Sequence, residues 1–154
     1  MIPGESLVLL DTNILVHLIR RNAIGRRVES DHRLTERPER PLVSFVTLGE
    51  LRALALKLNW GTKRTRQLDD LLDQLVVVNI NQGDILDHYA TLDHHTEKVA
   101  QPARRMGKND LWIAATASAL SAVLVTTDGD FDHLAPIFFH RVKVDATTGE
   151  SDWL

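Results

Sequence analysis

The chain has 154 residues, a formal net charge of −3 and no cysteine, and 44% of its residues are hydrophobic. This length suits one compact domain, residues 1–154, and the lack of cysteine excludes disulfides and thiolate metal sites and favours a reducing cytoplasm. We expect neither a membrane segment nor a signal peptide, because no apolar run approaches the ~20 residues of a span and the first residues lack a basic stretch.

Short aliphatic runs alternate along the chain with longer amphipathic ones. The former predict strands, and apolar residues at every third or fourth position predict helices. Strands separated by helices need crossover connections, so we predict a three-layer α/β/α sandwich with a mainly parallel sheet. In chain order the predicted elements are strand 6–10, helix 14–21, strand 41–45, helix 46–58, helix 65–75, strand 76–80, helix 83–95, a buried helix 110–120, strand 122–127 and strand 141–145.

Polar and basic residues concentrate in a few stretches between these elements. Residues 25–41 are polar and interrupted by proline, which predicts a surface helix or loop that we interpret as an exposed connector. Because the net charge offers no overall attraction to nucleic acid, RNA binding would depend on local basic groups or on metal ions. Three basic clusters, each typical of a solvated face, are Arg20, Arg21, Arg26 and Arg27; Lys63, Arg64 and Arg66; and Arg104, Arg105 and Lys108.

Acidic side chains from four segments are predicted to meet at one edge of the sheet. Asp11 directly follows the first strand, and Asp128 follows a later strand, with Asp130 two residues further on. Glu50 is predicted in the first turn of the helix after the second strand. Asp110 is predicted in the first turn of the buried helix. Because ligands of open parallel sheets lie beyond the carboxyl ends of the strands, these acids should share one edge.

Each acid also has a purely structural alternative. Asp110 can stabilise the start of its helix beside Asn109 as the N-cap, and Asp11 can belong to a helix-capping turn. Asp128 followed by glycine is typical of a turn. The Thr-Leu-Gly-Glu sequence that ends at Glu50 matches a capping box. One acid alone therefore does not indicate a site, and the interpretation depends on their convergence.

The convergence favours a metal centre. Carboxylates within ~4 to 6 Å of one another repel, and the pKa of at least one of them rises unless a cation neutralises the group. Oxygen ligands without cysteine suit Mg²⁺ or Mn²⁺, and such sites support phosphodiester hydrolysis. The histidines lack the spacing of a metal-binding pair, so we assign no catalytic base to them. The predicted metal ligands are Asp11, Glu50, Asp110 and Asp128, with Asp130 as a fifth acid.

Four segments resemble a known family. The sequences LLDTNILV (9–16), TLGELRALA (47–55), KNDLWIAATA (108–117) and LVTTDGDF (124–131) occur in the order of a PIN domain, and the chain length is similar to that of the VapC ribonuclease toxins. The resemblance implies a PIN-like fold over nearly the whole chain. It implies that Asp11, Glu50 and Asp110 are catalytic acids, that either Asp128 or Asp130 is the fourth, and that Asn13 and Thr127 position water or an acid.

The resemblance also implies an activity and partners. The activity would be Mg²⁺-dependent cleavage of structured RNA, such as tRNA or ribosomal RNA, by a homodimer. A small VapB-type antitoxin would silence it, with a C-terminal segment across the acidic edge that often presents an arginine there. The basic clusters would hold the RNA backbone.

Three alternatives remain at this point. A stand-alone PIN nuclease that processes RNA would carry the same acids. A signalling receiver domain also gathers acids and Mg²⁺ at strand ends, but it needs an acceptor aspartate after a middle strand, and neither PLVSFVT nor VVVNINQ supplies one. A binding module that has lost the activity would lack acids, and none is missing here.

Overall fold

The computed structural model describes residues 1–99 and 106–154, so Arg104 and Arg105 of the third basic cluster lie outside the described residues. The strands are β1 Val8–Leu10, β2 Leu42–Ser44, β3 Val76–Val78, β4 Val123–Thr126, β5 Arg141–Val144 and β6 Ser151–Trp153. The α-helices are α1 Thr12–Arg20, α2 Ala23–His32, α3 Phe45–Lys57, α4 Thr62–Leu72, α5 Ile85–Val99 and α6 Lys108–Leu120. Short 3-10 helices span Leu34–Glu36 and Gly129–Leu134.

The strands form one sheet in the order β3-β2-β1-β4-β5-β6. The first five strands in this order pair in parallel, and β6 pairs antiparallel with β5. The prediction of a mainly parallel sheet is therefore confirmed. β6 was not predicted, because its Ser-Asp-Trp sequence is short, exposed and without an aliphatic run. The order puts the carboxyl ends of β2, β1 and β4 side by side at one edge.

The sheet separates two layers of helices. Val8 and Leu10 of β1 pack into a cluster that includes residues of α1, α2, α3 and α4. Leu9, between them, packs into a second cluster with residues of α5 and α6. Such alternation is expected of a strand buried on both faces. The three-layer sandwich predicted from the sequence is thus confirmed.

The segment 25–41 is more structured than predicted. α2 covers its first part, and Val28 and Leu34 are 0% and 3% exposed in the core. Gly25 lets α2 lie directly against α1, because a Cβ at this position would collide with the main-chain carbonyl of His17. The surface-helix alternative is therefore confirmed for α2, whereas the interpretation as an exposed connector missed its buried residues, which are few and lie among charged ones in the sequence.

Two helix starts also differ from the prediction. Ser44, the last residue of β2, is the N-cap of α3, and its hydroxyl accepts a hydrogen bond from the amide of Val46 at 3.2 Å. Glu50 therefore lies in the second turn, so its predicted first-turn position and capping box are both wrong. α6 begins after Gly107, so Asn109 is not the N-cap, although Asp110 does lie in the first turn.

None of the helices within residues 1–99 and 106–154 combines the length and the apolar composition that a bilayer span needs.

Candidate active site

The acidic residues singled out in the sequence extend from neighbouring segments at one edge of the sheet. Asp11 follows β1 directly, and Asp128 lies two residues after β4, which pairs with β1 in parallel. Glu50 belongs to α3, which starts at the end of β2, and Asp110 belongs to the first turn of α6. The short connections after the strands leave these side chains at the carboxyl edge, where parallel sheets bind their ligands.

Asp11 is a buried carboxylate that accepts two hydrogen bonds. It is 4% exposed and forms the N-cap of α1. Its Oδ1 accepts a bond from the amide of Thr12 at 2.8 Å, and its Oδ2 accepts one from the hydroxyl of Thr126 at 2.6 Å. The capping role and a role in the site do not exclude each other, because a carboxylate has about four acceptor positions.

Thr126 connects two of the acids and was missed in the sequence. Besides donating to Asp11, its hydroxyl oxygen accepts a hydrogen bond from the amide of Asp128 at 2.9 Å. A signal was present, since Asp11 and Thr126 each follow the last aliphatic residue of their strands, and those residues, Leu10 and Val125, are register partners.

The resemblance implies a positioning role for Thr127, and the structure shows a hydrogen bond from its main-chain amide. Its amide donates to Oδ1 of Asn13 at 3.3 Å, so Asn13 holds the chain just after β4. Asn13 therefore contacts the segment that leads into the acids.

Glu50 is held by a hydroxyl of α1. Its Oε1 accepts a hydrogen bond from Thr12 at 2.7 Å, and the hydroxyl of Thr47 lies 3.2 Å from that of Thr12. Thr12 thus supports two acids, Asp11 with its amide and Glu50 with its side chain. The sequence pattern did not single out Thr12 or Thr47, because a contact between α1 and α3 depends on tertiary packing.

Asp110, Asp128 and Asp130 form the tightest group of acids. One carboxylate oxygen of each lies within 4.8 Å of the others, and this is the group of potential metal ligands found among the described residues. The turn that carries two of them, residues 128–130, is called the acidic turn below. The amide of Asp130 donates to Oδ1 of Asp128 at 2.9 Å, which fixes the shape of this turn.

The electrostatics identify Asp110 as the common neighbour of the other acids. Burial raises the pKa of Asp110 to about 7, and the charges of Asp11, Asp128, Glu50 and Asp130 raise it as well. Burial likewise raises the pKa of Asp11 to about 6, against the lowering effect of the bonds from Thr126 and Thr12. The expected repulsion between crowded carboxylates is therefore present.

The donor set fits a hard divalent cation. Three carboxylate oxygens within 4.8 Å of one another can share one divalent ion. Asp11 and Glu50, predicted as ligands, lie outside this group of three but add negative charge near Asp110. Asp130, predicted only as a fifth acid, belongs to the group.

A cavity lined by residues of α1, α2 and α4 is separate from these acids. It has a volume of about 960 Å³, and Leu18, Leu34 and Leu71 contribute to its apolar lining. Arg21 and Arg26 contribute positive charge. None of the acids described above lines it, so we do not place the chemistry there.

Comparisons with known proteins agree with this geometry. The PIN domain family profile matches residues 8–136. Ribonuclease VapC1 of Haemophilus influenzae is 33% identical over 123 residues, which cover 77% of this chain and 84% of that protein. The match includes most of both chains.

Solved structures show the same fold. VapBC-1 from nontypeable Haemophilus influenzae has a TM-score of 0.65 and 30% identity, covering 83% of this chain and 92% of that chain. VapBC2 from Rickettsia felis, solved bound to a DNA fragment from its promoter, has a TM-score of 0.71 over 88% of this chain and 98% of that chain. At 24% identity the latter supports the fold alone. The receiver-domain alternative is therefore wrong, and the chain belongs to the PIN-domain family and, within it, to the VapC ribonucleases.

Proposed function

We propose that this ribonuclease is an Mg²⁺- or Mn²⁺-dependent endonuclease and the toxin of a toxin-antitoxin pair, acting in the cytoplasm on structured RNA such as tRNA or ribosomal RNA. The observation that carries the metal dependence is the approach of three carboxylates to within 4.8 Å, with the pKa of Asp110 raised to about 7. Ionised together at neutral pH, these acids need a cation nearby.

Asp110, Asp128 and Asp130 would hold the metal, and Asp11 and Glu50 would complete the acidic environment. When bound, the ion supplies a positive charge that neutralises the carboxylates and the phosphodiester and lowers the pKa of a water. The hydrogen bonds from Thr126 and Thr12 favour the ionised form of Asp11. Thr12 also orients the carboxylate of Glu50 toward this edge.

Asn13 and Thr127 are proposed to act as positioning groups. Oδ1 of Asn13 accepts a hydrogen bond from the amide of Thr127 and so holds the chain between β4 and the acidic turn. A shift of this segment would change the distance between Asp128 and Asp110. Asp128 and Asp130 both reach the same group as Asp110, so both are proposed as acids of the site.

A VapB-type antitoxin is the proposed protein partner. The related structures named above are VapBC proteins, and the physical basis here is the charge of the edge. An arginine from a partner segment would neutralise the same carboxylates as a metal ion, with bidentate hydrogen bonds. Binding of the antitoxin and binding of metal and RNA would then compete.

RNA would be held by exposed basic groups. Arg20 and Arg21 lie at the C-terminal end of α1 and Arg26 lies within α2; all three are exposed, as are Lys63 and Arg66 on α4. Contacts with phosphates release counterions, so RNA binding should weaken steeply with salt. A homodimer is also proposed, and size-exclusion chromatography with light scattering would test it.

The test of the metal dependence uses the purified chain stripped of metal with EDTA. We expect no cleavage of a labelled tRNA transcript until Mg²⁺ or Mn²⁺ is added, and none by the Asp110→Asn variant at any metal concentration. Cleavage at the full rate in EDTA would refute the metal-dependent proposal. Co-purification of the product of the neighbouring gene, with loss of cleavage, would test the antitoxin, and a fully active co-purified complex would contradict it.

A further inference from the structure

Asp132 lies between two cations of β5. Nζ of Lys143 donates a hydrogen bond to Oδ2 of Asp132 at 3.1 Å. Nε of Arg141 lies 2.7 Å from Oδ1, at ion-pair distance but outside hydrogen-bond geometry. Arg141 and Lys143 are two residues apart on one strand, so their side chains leave the same face of the sheet. One carboxylate therefore pairs with both cations.

Arg141 depends on this carboxylate more than on its other anionic neighbour. Its side chain is 2% exposed, and a charge this deeply buried is costly unless it is paired. The Asp152 carboxylate is 3.6 Å from Nη1 of Arg141 but 71% exposed, so solvent screens most of its effect. The Asp132 carboxylate is nearer and 38% exposed.

The Asp132–Lys143 pair lies beside the acidic turn. Asp132 belongs to the 3-10 helix Gly129–Leu134, whose N-cap is Asp128. A methyl group placed on Gly129 would lie 3.5 Å from Oδ2 of Asp132 and 3.7 Å from Nζ of Lys143. The Asp132–Lys143 pair therefore lies beside the side-chain position of Gly129, between the two acids of the turn.

From these contacts we infer that Asp132 is a positioning residue for metal binding: held by Arg141 and Lys143, it fixes the acidic turn so that Asp128 and Asp130 stay close to Asp110. This inference rests on the proposed metal-dependent function. It assigns to β5 a role in the site, although neither cation of that strand is a metal ligand.

A rival explanation is purely electrostatic, and the two predict opposite signs for Lys143→Met. If Asp132 and Lys143 act only through their charges, removal of the lysine should strengthen binding of a divalent cation. If the pair positions the turn, removal of the lysine should weaken binding of the cation. Asp132→Asn weakens binding under both explanations, so the lysine variant is decisive.

The experiment measures Mn²⁺ affinity of the full chain without RNA, from the free Mn²⁺ signal in electron paramagnetic resonance. We expect Asp132→Asn and Lys143→Met to weaken binding by about 10- to 100-fold, the range seen for groups that support metal ligands. Asp152→Asn is the matched control, since it removes the other anion beside Arg141, and it should change the affinity less than about twofold. Hydrogen exchange of the amides of residues 128–134 should accelerate in metal-free Lys143→Met.

Two results would overturn the inference: unchanged or tighter Mn²⁺ binding by Lys143→Met, or an Asp152→Asn variant as impaired as Asp132→Asn. If Asp132→Asn does not fold, Lys143→Met, whose side chain is one third exposed, still decides the question. A parent chain that binds no Mn²⁺ would instead refute the proposed function, and this inference with it.

Discussion

The hydroxyl of Thr126 donates a hydrogen bond of 2.6 Å to Oδ2 of Asp11, although 115 positions separate the two residues in the sequence. Burial raises the pKa of Asp11 to about 6, and this hydrogen bond acts in the opposite direction by lowering the pKa. The same hydroxyl accepts a hydrogen bond from the amide of Asp128, so it connects the acid that follows β1 with the acid that follows β4.

Thr126→Val should therefore impair both stability and activity. The substitution keeps the shape of the side chain but removes a donor to a buried carboxylate, which costs about 1 to 3 kcal/mol. The pKa of Asp11 should rise further, so the RNA cleavage rate should reach its plateau at a higher pH than in the parent. A pH-rate profile at saturating Mg²⁺ measures this shift.

Thr127→Val is the control for this prediction. The interaction of Thr127 with Asn13 uses a main-chain amide, which valine retains. We expect a smaller change in the pH-rate profile than for Thr126→Val. Equal shifts in the two variants would contradict the assignment of Thr126 as the residue that keeps Asp11 ionised.

Asp110→Asn should abolish RNA cleavage while leaving the metal-free fold as stable as the parent or slightly more so. The loss should be on the order of 100-fold or more, since even supporting groups of metal sites account for 10- to 100-fold. Stability should not fall, because the substitution relieves repulsion by the neighbouring acids. Thermal unfolding in EDTA and cleavage of labelled tRNA measure the two effects.

The exposed Asp69→Asn on α4 serves as the control and should change neither quantity. A metal-free Asp110→Asn variant that melts well below the parent would mean that Asp110 mainly stabilises the start of α6.

Substitutions of Glu50 and Ser44 should have different effects: the first on RNA cleavage, the second on the stability of α3. Because Ser44 is the N-cap, Ser44→Ala should lower the free energy of unfolding by about 1 kcal/mol. Glu50→Gln should leave it nearly unchanged but reduce kcat, since Glu50 faces Thr12 rather than the start of the helix. Denaturant unfolding and single-turnover cleavage test the pair, and a Glu50→Gln variant with normal cleavage would remove Glu50 from the proposed site.

The pH dependence of metal-free stability should carry the signature of Asp110. An acid whose pKa rises from 3.8 to about 7 on folding holds its proton more tightly in the folded state, so folding stability decreases as the pH rises between these values. Asp11 acts in the same direction up to about pH 6. Burial lowers the pKa of His32 and His133, which has the opposite effect on stability.

The measurement is therefore a difference between variants. In EDTA, the Tm of Asp110→Asn minus that of the parent should increase from about pH 4 to pH 7 and stay constant above it. With saturating Mg²⁺ the difference should reverse, because the parent alone binds the ion well. A difference that is flat in EDTA over this range would show that neither burial nor the neighbouring acids raise the pKa of Asp110 on folding.

Much of the fold was predictable because β1, β2 and β4 are aliphatic runs of strands buried on both faces, with acids directly after β1 and β4. The buried helix α6 was equally clear, since its apolar residues surround it. α2 was not predictable as a buried element, because its contact with α1 depends on Gly25 and on Val28 within a charged segment. β6 is defined only by its pairing with β5.

The site was predictable where local sequence and strand ends determine it, and not where side chains meet across helices. Asp11 and Asp128 follow from the strand ends, whereas the contact of Thr12 with Glu50 needs the packing of α1 against α3. The helix start at Ser44 was missed because β2 and α3 are joined without a loop, so a strand residue serves as the N-cap.

The central position of β1 has a consequence for biosynthesis. During translation, Asp11 and Glu50 leave the ribosome well before β4, and until β4 arrives one side of β1 has no partner strand. The donor to Asp11 and the acids of the acidic turn are also absent at that stage. If the acids of the acidic turn hold the metal as proposed, a nascent chain of this ribonuclease would be inactive toward the RNA of the ribosome that is making it until synthesis has passed residue 130.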